Sequence, residues 1–298
     1  WRSRVFRLPA NPLAKLPAPL AGMLAEYFGA IEGASIDANK GAYSSAWMII
    51  FAVIAAVMVL LGLYHIKMLP STQVPATGKK STSEIMQDLV NVIGNFFTKK
   101  HIVYYIFFII LYRLAEGFIM KVAPLFLRAS REVGGLGLSL TEIGTLNGVF
   151  GSAAFVIGSL LGGIFVARYG LKKTLFMLCC VFNLPFLAYT FLAVVQPTSL
   201  YLIGTCITME YFGYGFGFVG LTLFMMQQIA PGKHQMSHYA FASGIMNLGV
   251  MLPGMISGYF SDLLGYRSFF IYVLIATIPA FLMTYFIPFT YDDSKKKK

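Results

Sequence analysis

Seven long apolar stretches, at roughly residues 46–66, 102–126, 143–167, 174–195, 200–228, 237–261 and 268–289, leave this chain one class of fold. Each reaches the about 20 residues that cross a hydrocarbon core as a helix. Helices are the spanning structures that fit, because barrel strands would show short alternating patterns instead of continuous apolar runs. Of the 298 residues, 57% are hydrophobic and 12% charged, with a mean hydropathy of +0.72. A soluble domain carries about 25% charged residues. The expected fold is therefore an all-α, multi-pass membrane bundle.

The net charge of +11 could suggest a nucleic-acid partner, but the positions of the cations argue against one. They fall in alternate loops. Lys67, Lys79, Lys80, Lys99, Lys100, Arg168, Lys172, Lys173, Lys233 and Lys295 to Lys298 lie on one side, against Arg128, Arg131 and Arg267 on the other. The positive-inside rule puts the first set, and with it the C-terminus, in the cytoplasm. Cys179, Cys180 and Cys206 sit inside apolar windows with neither disulfide nor metal-ligand spacing, so packing is their expected role and no metal or cofactor is implied.

The chain opens at Trp1, and residues 1–45 mix Pro9, Pro12, Pro17 and Pro19 with apolar runs too short to span. They read as the remnant of an incomplete N-terminal half. Residues 46–66 form a first transmembrane helix, and 67–101 a cytoplasmic linker in which Ser81-Thr82-Ser83-Glu84 resembles a helix start. Residues 102–290 form a six-helix bundle, and 291–298 a cytoplasmic tail. Within the six there is a repeat. Gly163, Ala167, Arg168, Gly170 and Lys172 close one span; Gly258, Asp262, Gly265 and Arg267 close another, 95 residues on. Repeated three-helix units give such an offset and are common in secondary transporters.

Gly215-Phe216-Gly217-Phe218-Val219-Gly220 matches a dinucleotide fingerprint in letters, yet it lies inside an apolar span with no strand before it. Close helix packing suits it better, as it suits Gly213 and Gly217, Gly158 and Gly162, and Gly254 and Gly258.

The seven windows hold four charged residues, Arg113, Glu116, Lys121 and Glu210. Ionisable groups at membrane depth cost about 2.5–3.5 kcal/mol each and tend to mark a path or a partner. Arg113, Glu116, Gly117 and Met120 share a helix face, so Arg113 and Glu116 are placed to pair, either as a structural ion pair or as part of a path. Lys121 lies nearer the outer end, where snorkelling is as good an account as ligand binding. Glu210, with Tyr211 beside it and Tyr214 one turn away, suits a group that takes up and releases a proton, and so does Glu116. Asn147, Asn183, Gln227, Gln228 and Asn247 add neutral hydrogen-bonding groups that serve either helix association or a polar path. His238 reads as an interfacial residue.

Tyr112-Arg113-Leu114-Ala115-Glu116-Gly117-Phe118 resembles the Tyr-Lys-x-x-Asp-x-Phe pattern on the seventh helix of the muropeptide permease (AmpG) family of the major facilitator superfamily. Glu210 with the Gly-rich run is similar to that family's tenth helix, and Tyr239-Ala240-x-x-Ser243 to the start of its eleventh. The resemblance covers roughly residues 40–290 and makes the seven spans helices six to twelve. Ala167 stands where the facilitator loop motif carries Asp, which weakens a charge relay through Arg168. Arg113 and Glu116 replace Lys and Asp, keeping charge while changing reach.

The resemblance implies proton-driven import, across a bacterial inner membrane, of anhydromuramyl saccharides with or without peptide. It implies substrate contacts at Arg113, Tyr112, Asn147, Tyr211, Tyr214 and Asn247, proton coupling at Glu116 and Glu210, and a gating loop with Gly163, Arg168, Gly170 and Lys172. The expected partners are a small-molecule sugar or muropeptide, protons, the bilayer and the missing N-terminal half. Three rivals stay open: a carrier of another sugar or acyl-CoA-like solute, an inactive half-transporter, and a membrane-embedded enzyme using Ser152 or Ser243 with His238. The last lacks an activating acidic partner, so no enzymatic activity is expected.

Overall fold

The computed structural model of the chain describes residues 24, 27–29, 40–68 and 81–291. The expected N-terminal remnant lies almost wholly outside these residues, as does the tail after 291. Among the described residues every regular element is helical. In chain order they are α1 (Lys40–Met68), α2 (Thr82–Phe97), α3 (Ile102–Tyr112), α4 (Leu114–Arg128), α5 (Leu140–Gly144), α6 (Ser152–Tyr169), α7 (Leu171–Asn183), α8 (Phe186–Val195), α9 (Leu200–Phe224), α10 (Gln235–Ala276) and α11 (Ile278–Tyr285).

Among the described residues five stretches are long and apolar enough to cross a membrane: Lys40–Met68, Ile102–Arg128, Leu140–Tyr169, Leu171–Val195 and Gln235–Tyr285. The last, at 51 residues, would reach about 75 Å if straight at 1.5 Å per residue, far beyond one bilayer core. It doubles back instead. Gly265 has φ 71° and ψ 160° inside α10, a region essentially open to glycine alone. Phe260 and Tyr272, on either side of it, stack at 5.4 Å. Gly170 makes the same bend between α6 and α7, with φ 83° and ψ 145°, so the two glycines matched by the repeat hold matching backbone conformations. α9 is long enough at 25 residues, but Glu210, five glycines and three tyrosines make it less apolar.

The other breaks are short. Pro185 has no N–H to extend the helix and separates α7 from α8. Arg113, at φ −106° and ψ 5°, separates α3 from α4. Residues Thr145–Gly151 and Met225–Ile229 form π-helical turns, a geometry that is rare and concentrated at functional sites.

The core is built around α9, which glycines allow to lie close to its neighbours. A Cβ on Gly158 would collide with the Phe212 carbonyl, and one on Gly215 with the Phe155 carbonyl, so α6 and α9 meet backbone to backbone. Gly213 and Gly217 serve α9 against α7 in the same way. Gly254 accepts the stem of Lys121, whereas a Cβ on Gly258 would meet nothing within 4 Å among the described residues. Gly117 fits beneath Val250 and Pro253 of α10.

Contacts between loops follow the grouping read from the lysines and arginines. Arg131 donates to the carbonyls of Gln196 and Pro197, both at 2.9 Å. At the opposite end Tyr105 donates to Pro288, and Lys99 donates to the carbonyls of Ile229 and Pro231 at 2.5 and 2.7 Å. Burial holds the Lys99 ammonium below the usual lysine value. The expected start of α2 is present, with the Ser81 amide donating to the Glu84 carboxylate at 3.0 Å. His238, read as an interfacial residue, is covered by protein at the start of α10. It is buried between α10 and α2, its Nε2 3.2 Å from the Val92 carbonyl.

Candidate functional site

The break at Arg113 turns its side chain back along the first turn of α4. The guanidinium meets Glu116 at two points, Nε to Oε2 and Nη2 to Oε1, each at 2.6 Å. Both residues are buried. The guanidinium carbon also lies 5.2 Å from the centre of the Phe218 ring on α9, a cation–π distance. Among the described residues Nη1 has no hydrogen-bond partner, and the buried Tyr214 side chain lies beside both members of the pair.

Glu116 faces a small cavity of about 60 Å³ that also takes in Asn147, Tyr189, Glu210, Tyr211 and Tyr214. Ile119, Met120, Ala123, Pro124 and Leu127 complete its wall, and a space of this size with such polar groups on one side is enough for water, which needs only about 10–15 Å³ by the same measure. Four separate stretches meet there. Glu116 comes from α4, Asn147 from the π-helical turn before α6, Tyr189 from α8, and the remaining three from α9. The extra residue of a π turn changes the angular spacing along the helix, so Asn147 points off the register that flanking α-helix would give it. Gly151, at the end of that turn, leaves room for the Tyr211 ring, which a Cβ would touch at 3.0 Å.

The cavity gathers five of the eight residues expected to bind substrate or protons: Glu116, Asn147, Glu210, Tyr211 and Tyr214. Arg113 stands behind them through Glu116. Tyr112 and Asn247 do not line it. Tyr112 is fully buried and donates to the Gly217 carbonyl at 3.0 Å, joining α3 to α9. Asn247 is half-buried on α10. Tyr189 was not among the expected residues. It is a single tyrosine in an apolar window, and its place depends on stacking against Phe270 at 5.5 Å, which no local pattern announces.

Gly163, Arg168, Gly170 and Lys172 line a different cavity, of about 970 Å³, with Gln227 and Tyr291. It shares no residue with the first. Gln228 holds its C-terminal wall: its amide nitrogen donates to the Tyr291 carbonyl at 2.6 Å, and its oxygen accepts from the amides of Thr290 and Tyr291. Among the described residues no group of His, Cys, Asp and Glu could hold a metal ion.

Comparison with known proteins identifies the family. The model of the Major Facilitator Superfamily matches residues 16–229 and 135–298. The anhydromuropeptide permease of Escherichia coli K12 is 23% identical over 197 residues, 66% of this chain and 39% of the permease. The putative transporter AmpG 4 of Rickettsia conorii is 25% identical over 267 residues, 89% of this chain and 61% of that protein. A third relative, the putative transporter AmpG 1 of Rickettsia felis, is 26% identical over 183 residues, 61% of this chain and 40% of its own. The chain thus spans about 40 to 60% of the length of these curated relatives. With most of its residues inside the family match and its helices arranged as a multi-pass bundle, the chain belongs to the major facilitator superfamily.

Proposed function

We propose that this chain forms one half of a proton-coupled secondary transporter that imports peptidoglycan-derived anhydromuropeptides, or related saccharides, across the bacterial inner membrane with its C-terminus in the cytoplasm. The single observation that carries the reading is the cavity on which two carboxylates, Glu116 and Glu210, converge with Asn147 and three tyrosines. The names of the E. coli and Rickettsia relatives supply the substrate class.

In this reading Glu116, when ionised, neutralises Arg113. A proton reaching Glu116 by way of Glu210 across the cavity removes that neutralisation. The guanidinium then becomes available to an anionic group of the substrate, while the tyrosines offer faces to its sugar rings. Rocking of this bundle against a second six-helix bundle, supplied by more of the same polypeptide or by another copy, carries the site from one side of the membrane to the other. Around the larger cavity, Gly163, Arg168, Gly170 and Lys172 act as the loop that gates this motion.

The experiment is uptake of a radiolabelled anhydromuropeptide by membrane vesicles containing the full polypeptide, at varied external pH, with and without Glu210→Gln. Uptake in the parent that rises as external pH falls, and a flat response in the variant, is the expected result. An unchanged pH dependence in the variant would end the role given to Glu210, and absence of uptake in the parent would end the substrate assignment.

A further inference from the structure

The helix between the first two spans has more apolar surface than the bundle covers. Val92 and Phe96 of α2 are buried, with the Phe96 ring 5.8 Å from His238 and 5.7 Å from Phe241 of α10. A second stripe faces outward. Met86, Leu89, Val90 and Phe97 are 58, 47, 60 and 57% exposed. At 100° per residue these four fall with Ile93 within an arc of about 100°. Glu84, Gln87, Asp88, Asn91 and Asn95 occupy the opposite arc.

Three observations say what lies against that stripe. Lys99, just past the end of α2, is clamped on the carbonyls of Ile229 and Pro231, and Val92 receives His238 at the start of α10. Both contacts put α2 at the level where α9 ends and α10 begins, which is the level of the membrane surface. The chain leaves α2 and within five residues enters α3, whose Val103 and Phe107 are 64 and 55% exposed on a spanning helix and so face lipid. Lys79, Lys80 and Lys100 flank the helix in sequence, and basic residues beside an apolar stripe are the composition that anionic lipid surfaces attract.

We propose that α2 is an in-plane membrane helix, with Met86, Leu89, Val90, Ile93 and Phe97 seated at the boundary between the headgroups and acyl chains of an anionic leaflet. Its inner edge is fixed to α10, and its outer edge is covered by lipid. The linker is then held at a set depth and angle beside the ends of α9 and α10. This inference rests on the placement of α2 and is independent of the substrate and of proton coupling.

The test reads depth at single positions in the full polypeptide, reconstituted into vesicles of phosphatidylcholine and phosphatidylglycerol. Val90→Trp and Asn91→Trp are compared by their fluorescence over that of the parent, whose two tryptophans give the background. Met86→Trp serves as a second probe of the stripe. Tryptophan at 90 or 86 is expected to be quenched by lipids brominated near the headgroup at least about twofold more than tryptophan at 91, with acrylamide showing the reverse order. Equal quenching of 90 and 91 by acrylamide would mean that water covers the stripe, and protection of 90 from both quenchers would mean that protein does. Either result overturns the proposal.

Discussion

Arg113 and Glu116 are joined at two points of 2.6 Å each, one helical turn apart, with the guanidinium also resting on Phe218. Either charge alone there is a costly one. Breaking a buried pair by removing one member costs about 3–5 kcal/mol, because the remaining charge is left without compensation. We expect Glu116→Leu to lower the thermal midpoint of the purified protein strongly, and Arg113→Met with Glu116→Leu to recover most of the loss. Double-variant stability no better than that of Glu116→Leu would show that the pair has no stabilising coupling.

The glycines of α6 and α9 divide by what they touch. Gly158→Ala and Gly215→Ala drive a methyl into the carbonyls of Phe212 and Phe155, a misfit of the kind that costs about 1–3 kcal/mol. Gly163, in α6, has nothing within 4 Å of its would-be Cβ. Gly163→Ala should therefore be neutral or stabilising, by up to about 1 kcal/mol from helix propensity. Thermal midpoints of the three variants in one detergent check the order.

Gly170 and Gly265 should behave as equivalents. Their φ of 83° and 71°, with extended ψ, cost a side-chain-bearing residue of order 1–3 kcal/mol. Gly170→Ala and Gly265→Ala are each expected to destabilise the bundle, with larger effects than Gly244→Ala, whose surroundings are open. Denaturation curves showing one of the pair indifferent would separate the two hairpins that the repeat relates.

Lys99 gives a pH dependence of definite sign. Burial depresses its folded-state value below 10.5, so through the window from the depressed value up to 10.5 the unfolded chain binds more protons than the folded one. Stability contributed at this position therefore rises with pH across that window. The thermal midpoint of the parent is expected to gain on that of Lys99→Met as pH approaches 10.5, and a constant difference would refute the assignment.

Asn147 tests the π turn. If its side chain contacts substrate and carries no proton, Asn147→Ala should reduce uptake by at least about tenfold while the pH profile keeps its shape. Uptake measured at several pH values distinguishes this from Glu210→Gln, which is expected to flatten the profile.

The sequence by itself determined the multi-pass helical class, the alternation of loop charge, the repeat that pairs Gly170 with Gly265, and the partnership of Arg113 with Glu116. Each of these is local. Hydropathy over about 20 residues, charge between spans, and three-residue spacing on one helix can all be read along a line. Tertiary structure decided the rest. Tyr189 joins the cavity only because α8 packs against Phe270, and Tyr112 leaves it because its hydroxyl reaches Gly217. His238 is covered because α2 folds back onto α10. Gly254 and Gly258 share one motif, yet one meets a lysine stem and the other nothing within 4 Å among the described residues. These outcomes depend on which helices approach, how closely, and at what rotation. Such contacts link residues far apart in the chain, and the pattern around any one of them is the same whether or not the contact forms.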